Sequence, residues 1–312
     1  MGNDECWLAQ SVGRRHNRPM NHPLFFLGSL PYDSVIDAVN FVKQCSPSLP
    51  FLPQLPEANP QEDMVGQVLR GIELGHWDEQ ASSCLEYFQN EFVDAPRFKI
   101  QLAGPMTVAR SLSTQFDEVT PSWMQFLKGL MKQLRQAGFQ QEMWLQIDEP
   151  FWSSEVPLPP NYVEFLGEVR KSREKLKIGL HSCHKNRPKM DEVLAPFTDF
   201  FSFNYSVMPT TVEEIETWNQ ILSITDIHLV LGVIAKGVPF EGVITPFDEN
   251  FRDRLWVSPA CGLYDWTSED IQKTFQFSTE PSLQAPLAGP GQSRIDLENA
   301  KEQLERWKKT IS

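Results

Sequence analysis

The chain has 312 residues, 41% of them hydrophobic and 22% charged, and its formal net charge at pH 7 is −13. This length suits a single α/β barrel domain with long loops, and the hydrophobic fraction is sufficient for a full core. The negative charge argues against nucleic-acid binding, because phosphate groups need a basic stripe that no segment supplies. No apolar run is long enough to cross a bilayer, so we expect no membrane partner.

The five cysteines are few, odd in number and without the spacing of a disulfide framework: Cys6, Cys45, Cys84, Cys183 and Cys261. This usage favours a reducing compartment, and we expect a cytoplasmic protein. Residues 1–22 are polar and read as a flexible N-terminal arm, so the folded domain is expected to span residues 23–312.

Eight short apolar runs with little polar alternation follow, as is typical of parallel strands buried on both faces. The predicted strands are Leu24–Leu27, Pro50–Leu52, Phe98–Leu102, Met143–Ile147, Lys177–Leu180, Asp199–Phe203, His228–Val233 and Arg254–Val257.

Amphipathic stretches separate these runs, several of them opened by Asp, Ser, Thr or Pro, which favour helix starts. The predicted helices are Asp33–Cys45, Pro60–Gly71, Pro105–Leu112, Pro121–Ala137, Pro160–Lys175, Thr211–Ile221, Ser268–Phe275 and Arg294–Lys309. The alternation predicts an α/β fold, a single-domain TIM (β/α)8 barrel. An open doubly wound sheet is the alternative, but no glycine-rich phosphate loop follows the first run.

Catalytic groups of such barrels lie at the carboxyl ends of the strands. His181 and Cys183 are two residues apart at one strand end and should leave it on the same face, and Cys261 follows the last strand. One imidazole and two thiols can form three corners of a zinc site whose fourth, open corner would bind a substrate thiol. Alternatively, the cysteines are core residues and the histidine a hydrogen-bonded loop residue.

Two further strand ends carry polar groups. Asp148 and Glu149 end an apolar run before Pro150, where a carboxylate can hold a substrate ammonium or accept a proton; the alternative is a helix N-cap. After the first run, Gly28 frees the backbone and Ser29 offers a hydroxyl and an N–H to a carboxylate, although the pair taken alone favours a simple Gly-Ser turn.

Taken in order, these segments resemble the C-terminal catalytic barrel of cobalamin-independent methionine synthase and its single-barrel relatives, within the uroporphyrinogen decarboxylase-like superfamily. The segments that carry the resemblance are Gly28–Pro31, Pro53–Pro56, Glu62–Met64, Gln101–Thr107, Ile147–Pro150, His181-x-Cys183 and Pro259-x-Cys261-Gly262-Leu263.

The resemblance implies that His181, Cys183 and Cys261 bind Zn²⁺ and that homocysteine sulfur takes the open position. It further implies that Ser29 and Asp148 hold the amino-acid part of homocysteine, with Asp148 the catalytic carboxylate, and that methyl transfer gives methionine. Glu57 lies near the place of another substrate-binding carboxylate of the family.

The chain departs from the family pattern at three points. Asn204 stands where the family has a glutamate zinc ligand, the segment Gly232–Gly237 lacks the histidine that follows the seventh strand, and the folate-holding N-terminal barrel has no counterpart in this sequence. A folate donor must be protonated at its leaving nitrogen, whereas a methyl-corrinoid leaves as a stable cob(I)alamin. We therefore expect a methyl-corrinoid donor, presented by a partner protein.

Three other functions remain open from the sequence. The acceptor can be another small thiol. A porphyrinogen decarboxylase of the same superfamily is disfavoured because the chain shows no basic mouth for several substrate carboxylates. A non-catalytic barrel that binds a thiol is the third alternative, since fold alone does not imply function.

Overall fold

The computed structural model describes residues 23–46, 48–78, 82–184, 186, 194, 197–205, 212–237 and 249–275. The predicted N-terminal arm and the predicted helix Arg294–Lys309 lie outside these residues. Every helix in the described ranges is too short or too polar to span a bilayer.

A parallel sheet of six strands in chain order forms the centre of the described structure. Its strands are β1 Arg97–Ala103, β2 Glu142–Asp148, β3 Leu176–Ser182, β4 Phe200–Asn204, β5 His228–Ile234 and β6 Leu255–Pro259. Each overlaps a predicted strand, and nearly every residue in them is buried, as expected for a parallel sheet covered on both faces.

The first two predicted strands form isolated bridges instead of continuous strands. Leu24 pairs with Val257 of β6, Phe51 pairs with Lys99 of β1, and Ser29 pairs with Gln54, all in parallel. The segments 23–30 and 50–54 therefore connect the two edge strands of the sheet. Prolines without an N–H and a glycine with a positive φ interrupt their ladders: Pro23, Pro50, Pro53 and Gly28. The α/β class and six parallel strands of the predicted barrel are thus confirmed.

The sheet is strongly curved, as shown by side chains of distant strands that meet on its inner face. The ring centroids of Trp144 on β2 and Trp256 on β6 are 5.4 Å apart, and Phe25 lies 5.4 Å from Phe200 on β4. Each such aromatic pair adds about 0.5–1.5 kcal/mol beyond the area that it buries. This aromatic layer, with Val230 and Leu27, fills the inside of the curl.

Helices cover the outer face and connect the strands: α1 Val35–Cys45, α2 Met64–Leu74, α3 Leu85–Phe92, α4 Pro105–Ser111, α5 Phe116–Gln136, α6 Tyr162–Arg170, α7 Val212–Ile224 and α8 Ser268–Phe275. Asp63 caps α2 through the N–H of Gly66 at 3.0 Å, which separates that helix from a 3-10 turn at Pro60–Glu62. Helix α3 was not predicted from the sequence.

Helix α5 begins five residues before its predicted start. The prediction began the helix at Pro121, because proline favours the first turn, but Pro121 lies inside α5. There it removes one backbone hydrogen bond without ending the helix. The buried face of α5, which includes Trp123, Phe126 and Leu130, supplies the apolar contact that outweighs this loss.

Candidate functional site

Polar side chains occupy the inner face of the sheet near the carboxyl ends of the strands. They come in pairs two residues apart, so both members of a pair face the same side. The pairs are Lys99 and Gln101 on β1, Gln146 and Asp148 on β2, His181 and Cys183 at the end of β3, and Ser202 and Asn204 on β4. All are buried except Cys183, which is half-buried.

Lys99 is a buried cation in this polar layer, with 1% of its surface exposed. Its Nζ donates to Gln101 Oε1 at 3.3 Å and to Gln146 Oε1 at 3.1 Å, and it lies 5.0 Å from the ring centroid of Phe25. Burial lowers the pKa of Lys99 to about 7, and the nearby carboxylate of Asp148 opposes that shift. A lysine in such surroundings is held by its hydrogen bonds and by the ring face.

Asp148 is the last residue of β2 and is 4% exposed. Its Oδ1 accepts from Gln146 Nε2 at 2.5 Å. Burial raises the pKa of Asp148, while the interaction with His181, the hydrogen bond from Gln146 and the interaction with Lys99 lower it, and Cys261 raises it further. These electrostatic interactions indicate that His181 and Cys261 each act on the carboxyl group of Asp148 from another strand end.

Glu149 has a different role from its neighbour. Its carboxylate accepts from the backbone N–H groups of Met106 at 3.1 Å and Thr107 at 2.7 Å, and from the hydroxyls of Thr107 and Tyr162 at 2.5 and 2.9 Å. These N–H groups open α4, whose N-cap Gly104 has no side chain, so Glu149 caps that helix. Burial raises the pKa of Glu149 to about 7 although each of these hydrogen bonds lowers it.

The structure gives the two members of the acidic pair different surroundings. Glu149 is the helix cap, and Asp148 belongs to the polar layer. A Cβ at Gly104 would overlap the Glu149 carboxylate, so the close approach of β2 and α4 requires glycine there.

The predicted metal ligands lie on two segments, the carboxyl end of β3 and the loop after β6. Nδ1 of His181 is 2.9 Å from Ser202 Oγ, which leaves the Nε2 atom of the ring for another partner. Cys183 and Cys261 are half-buried, and neither is in a disulfide. No group of three or more His, Cys, Asp and Glu side chains within the described ranges is arranged to hold a metal ion.

The loop that carries Cys261 lies against the segment that carries Ser29. The N–H of Leu263 donates to the carbonyl of Ser29 at 2.7 Å, and a Cβ at Gly262 would come within 2.9 Å of Ser29 Cβ. The Ser29 hydroxyl donates to Gln54 Oε1 at 3.4 Å. Two predicted site residues, 232 positions apart in the sequence, are therefore brought together by the fold.

Glu57 lies apart from the polar layer. It is exposed on a turn at residues 56–58, whereas the buried carboxylate of this region belongs to Glu62. Glu62 accepts from the N–H groups of Leu55 at 2.8 Å and Ser83 at 2.7 Å, so it holds two loops together.

Sequence reasoning missed Lys99, Gln146 and their link to Asp148. The available signal was the two-residue alternation in Phe98–Leu102 and Leu145–Asp148, where every second residue of an apolar run is polar. In a sheet covered on both faces, such alternation indicates a polar interior and not a solvent-facing side.

Comparison with known proteins gives low similarity throughout. No family model matches the chain, and no curated protein matches it. Among solved structures, a B12-independent methionine synthase from Shewanella sp. W3-18-1, in complex with selenomethionine, is 13% identical with a TM-score of 0.38, covering 93% of this chain and 99% of that one.

Two other solved structures are similar at the same level. A GH27 β-L-arabinopyranosidase from Geobacillus stearothermophilus is 10% identical with a TM-score of 0.39, covering 82% of this chain and 74% of the other. A methylaspartate ammonia lyase from Clostridium tetanomorphum is 12% identical with a TM-score of 0.40, covering 94% and 61%. At these scores the comparisons assign neither a family nor an activity to the chain.

Proposed function

We propose that this protein is a zinc-dependent methyltransferase that transfers a methyl group to a small thiol, with homocysteine as the acceptor and methionine as the product. The observation that carries the proposal is that Asp148 and His181 are register partners at the carboxyl ends of β2 and β3, while the loop that carries Cys261 packs against Ser29. We further propose that segments 23–30 and 50–54 complete an eight-stranded barrel around this site.

The donor atoms suit zinc better than harder cations, because imidazole and thiolate are its preferred ligands. Ser202 bonds to Nδ1 of His181, and a ring fixed in this way presents Nε2, as metal-binding histidines commonly do. His181, Cys183 and Cys261 would hold the ion; since the described side chains do not yet form a three-ligand group, the two half-buried thiols would have to turn toward His181 on binding.

Zinc, when bound, would lower the pKa of the substrate thiol, so that a thiolate nucleophile forms at neutral pH. The chain's own residues then orient the acceptor: Asp148 would bind the substrate ammonium and Ser29 its carboxylate. In the transfer, the thiol loses its proton, sulfur forms the new bond to the methyl carbon, and the donor keeps the electron pair of the bond that breaks.

We propose a methyl-corrinoid, presented by a partner protein, as the donor. The described chain after β5 reads Ala235-Lys236-Gly237, and Lys236 pairs with Asp265 and Asp270. No histidine of that described segment is available to protonate a folate leaving group. A corrinoid leaves as a stable anion and needs no such acid.

Methyl transfer tests the proposal directly. Purified protein supplied with zinc is incubated with homocysteine and either methylcobalamin or methyltetrahydrofolate, and methionine is measured. We expect methionine from methylcobalamin and none after Cys261→Ser, whereas Cys84→Ala at the start of α3 should retain activity. Methionine formed from methyltetrahydrofolate but not from methylcobalamin would contradict the proposed donor. No methyl transfer from either donor to any thiol tested would contradict the proposed reaction.

The second candidate is a barrel that binds a thiol without methylating it. It is favoured by Asn204, a weaker zinc ligand than a carboxylate, and by the lack of a formed three-ligand group among the described side chains. Thiol binding without turnover would identify this function.

A further inference from the structure

We propose that Lys99 is a positioning residue that sets the hydrogen-bond polarity around Ser29 and Asp148, and so prepares both for the carboxylate and the ammonium of an amino acid. Lys99 is too deeply buried to be a surface charge and touches neither residue directly. The inference rests on the proposed function only for the class of ligand. It concerns two branches of buried amides that begin at the Lys99 ammonium.

An ammonium group donates up to three hydrogen bonds and accepts none. Its two amide partners, Gln101 and Gln146, must therefore turn their oxygens toward Nζ, at 3.3 and 3.1 Å. The NH₂ group of each amide then points away from Lys99. Protonated Lys99 thus fixes two amides that otherwise could flip.

The first branch ends at Asp148. With its oxygen on Lys99, Gln146 donates from Nε2 to Asp148 Oδ1 at 2.5 Å. The carboxylate is held in one orientation, and its remaining lone pairs are left for a ligand ammonium. Without Lys99, a flipped Gln146 would place its oxygen against the carboxylate, and Asp148 would have to turn away.

The second branch ends at Ser29. Gln101 donates from Nε2 to Gln54 Oε1 at 2.8 Å, and Gln54 donates in turn to Gln67 Oε1 at 2.7 Å. Gln54 therefore presents its oxygen to the Ser29 hydroxyl, which donates to it over a long 3.4 Å. The hydroxyl is thereby kept as a donor on a weak bond, and a ligand carboxylate can replace that bond with a shorter one.

The two branches predict different specificities for their variants. Isothermal titration calorimetry with L-methionine measures amino-acid binding without a reaction. Two analogues separate the groups: 3-(methylthio)propylamine lacks the carboxylate, and 4-(methylthio)butanoate lacks the ammonium. The variants are Lys99→Met, which keeps the volume, and Gln146→Leu and Gln101→Leu, each of which cuts one branch. Lys177→Met, whose Nζ bonds to Asp199 at 3.2 Å outside the network, is the control.

We expect Lys99→Met to weaken L-methionine binding about tenfold or more, the loss typical of a hydrogen bond to a charged group. Gln146→Leu should weaken methionine and the amine but not the acid, and Gln101→Leu should weaken methionine and the acid but not the amine. Lys177→Met should bind all three as the wild type does. A purely structural role for Gln146 and Gln101 would weaken every ligand alike in both glutamine variants and would show no branch pattern.

Unchanged methionine binding by folded Lys99→Met overturns the inference, and so does a wild-type protein that binds none of the three compounds. If Lys99→Met does not fold, unchanged binding in both glutamine variants overturns it. Methionine binding with the expected pattern but without zinc or methyl transfer supports the inference and removes the proposed reaction. Methyl transfer by the wild type, together with unchanged binding in all variants, supports the proposed reaction and overturns the inference about Lys99.

Discussion

Asp148 and His181 are register partners at the carboxyl ends of β2 and β3, and the N–H of Glu149 donates to the carbonyl of His181 at 2.9 Å. The carboxylate proposed to bind the substrate ammonium and the imidazole proposed to bind zinc are thus fixed on one hydrogen-bonded ladder. A change in the packing of either strand end should disturb both groups together.

The close approach of β2 and α4 at Gly104 gives the first prediction. Gly104→Ala should lower the free energy of unfolding by about 1–3 kcal/mol, because the new methyl group overlaps the buried Glu149 carboxylate. Gly66→Ala is the matched control: the nearest atom to its Cβ is 3.5 Å away, so alanine in α2 should be neutral or slightly stabilising. Denaturant unfolding of both variants checks this, and equal stability of the two would contradict it.

The inner aromatic layer gives the second prediction. A Cβ at Gly179 would overlap the Phe200 ring, so Gly179→Ala should be destabilising by about 1–3 kcal/mol. Adding Phe200→Leu should recover part of this loss, because the smaller side chain leaves room for the methyl group. A double-mutant cycle from urea unfolding measures the coupling, expected at about 0.5–3 kcal/mol. Additive effects would mean that the two residues do not compete for the same space.

His228 gives a pH dependence of stability. Its ring packs against Trp144 and Trp256, at 5.5 and 6.2 Å between ring centroids, and its buried Nδ1 has no hydrogen-bond partner among the described residues. Burial lowers the pKa of His228 below 6.5, with Lys177 and Arg254 lowering it further and Asp199 opposing them. The folded state therefore favours the neutral ring more than the unfolded chain does.

Below pH 6.5 the unfolded chain takes up a proton at this histidine more readily than the folded one, so stability is lost as the pH falls from 6.5 toward the folded pKa. His228→Phe keeps the ring packing and removes the titration. As the pH is lowered from 7.5 to 5.5, the free energy of unfolding of the variant should rise relative to that of the wild type, as measured by denaturant unfolding. A difference that stays constant over that range contradicts the prediction.

Asn204 gives a prediction for the proposed metal site. It is buried at the end of β4, beside the strand that carries His181. Asn204→Glu should tighten zinc binding, because a carboxylate is a stronger zinc ligand than an amide. Competition against a chelator measures the affinity. Unchanged affinity in a folded variant would mean that this position does not face the metal.

How much of this structure follows from the sequence depends on the element. The six strands were predicted within a few residues because each is a short apolar run between helix signals. Runs interrupted by proline or glycine, at 23–30 and 50–54, pair only at single points. The apolar content of these runs predicts that they are buried, but prolines without an N–H donor prevent a continuous ladder of hydrogen bonds.

The candidate site was likewise predicted only in part. Asp148 and His181 were predicted as strand-end groups because each ends a short apolar run, and the structure separates Glu149 from Asp148, since Glu149 caps α4. Lys99 was missed because a single lysine in an apolar run is more often solvent-facing. Only the pairing of β1 with β2 shows that it meets Gln146.

Zinc content per chain, measured by elemental analysis after purification in the presence of zinc, tests the central claim most directly. We predict about one zinc ion per wild-type chain, its loss in Cys261→Ser, and its retention in Cys84→Ala, whose buried thiol at the start of α3 lies outside the proposed site. A wild-type chain that stays metal-free under these conditions, or one whose zinc survives Cys261→Ser unchanged, contradicts the account.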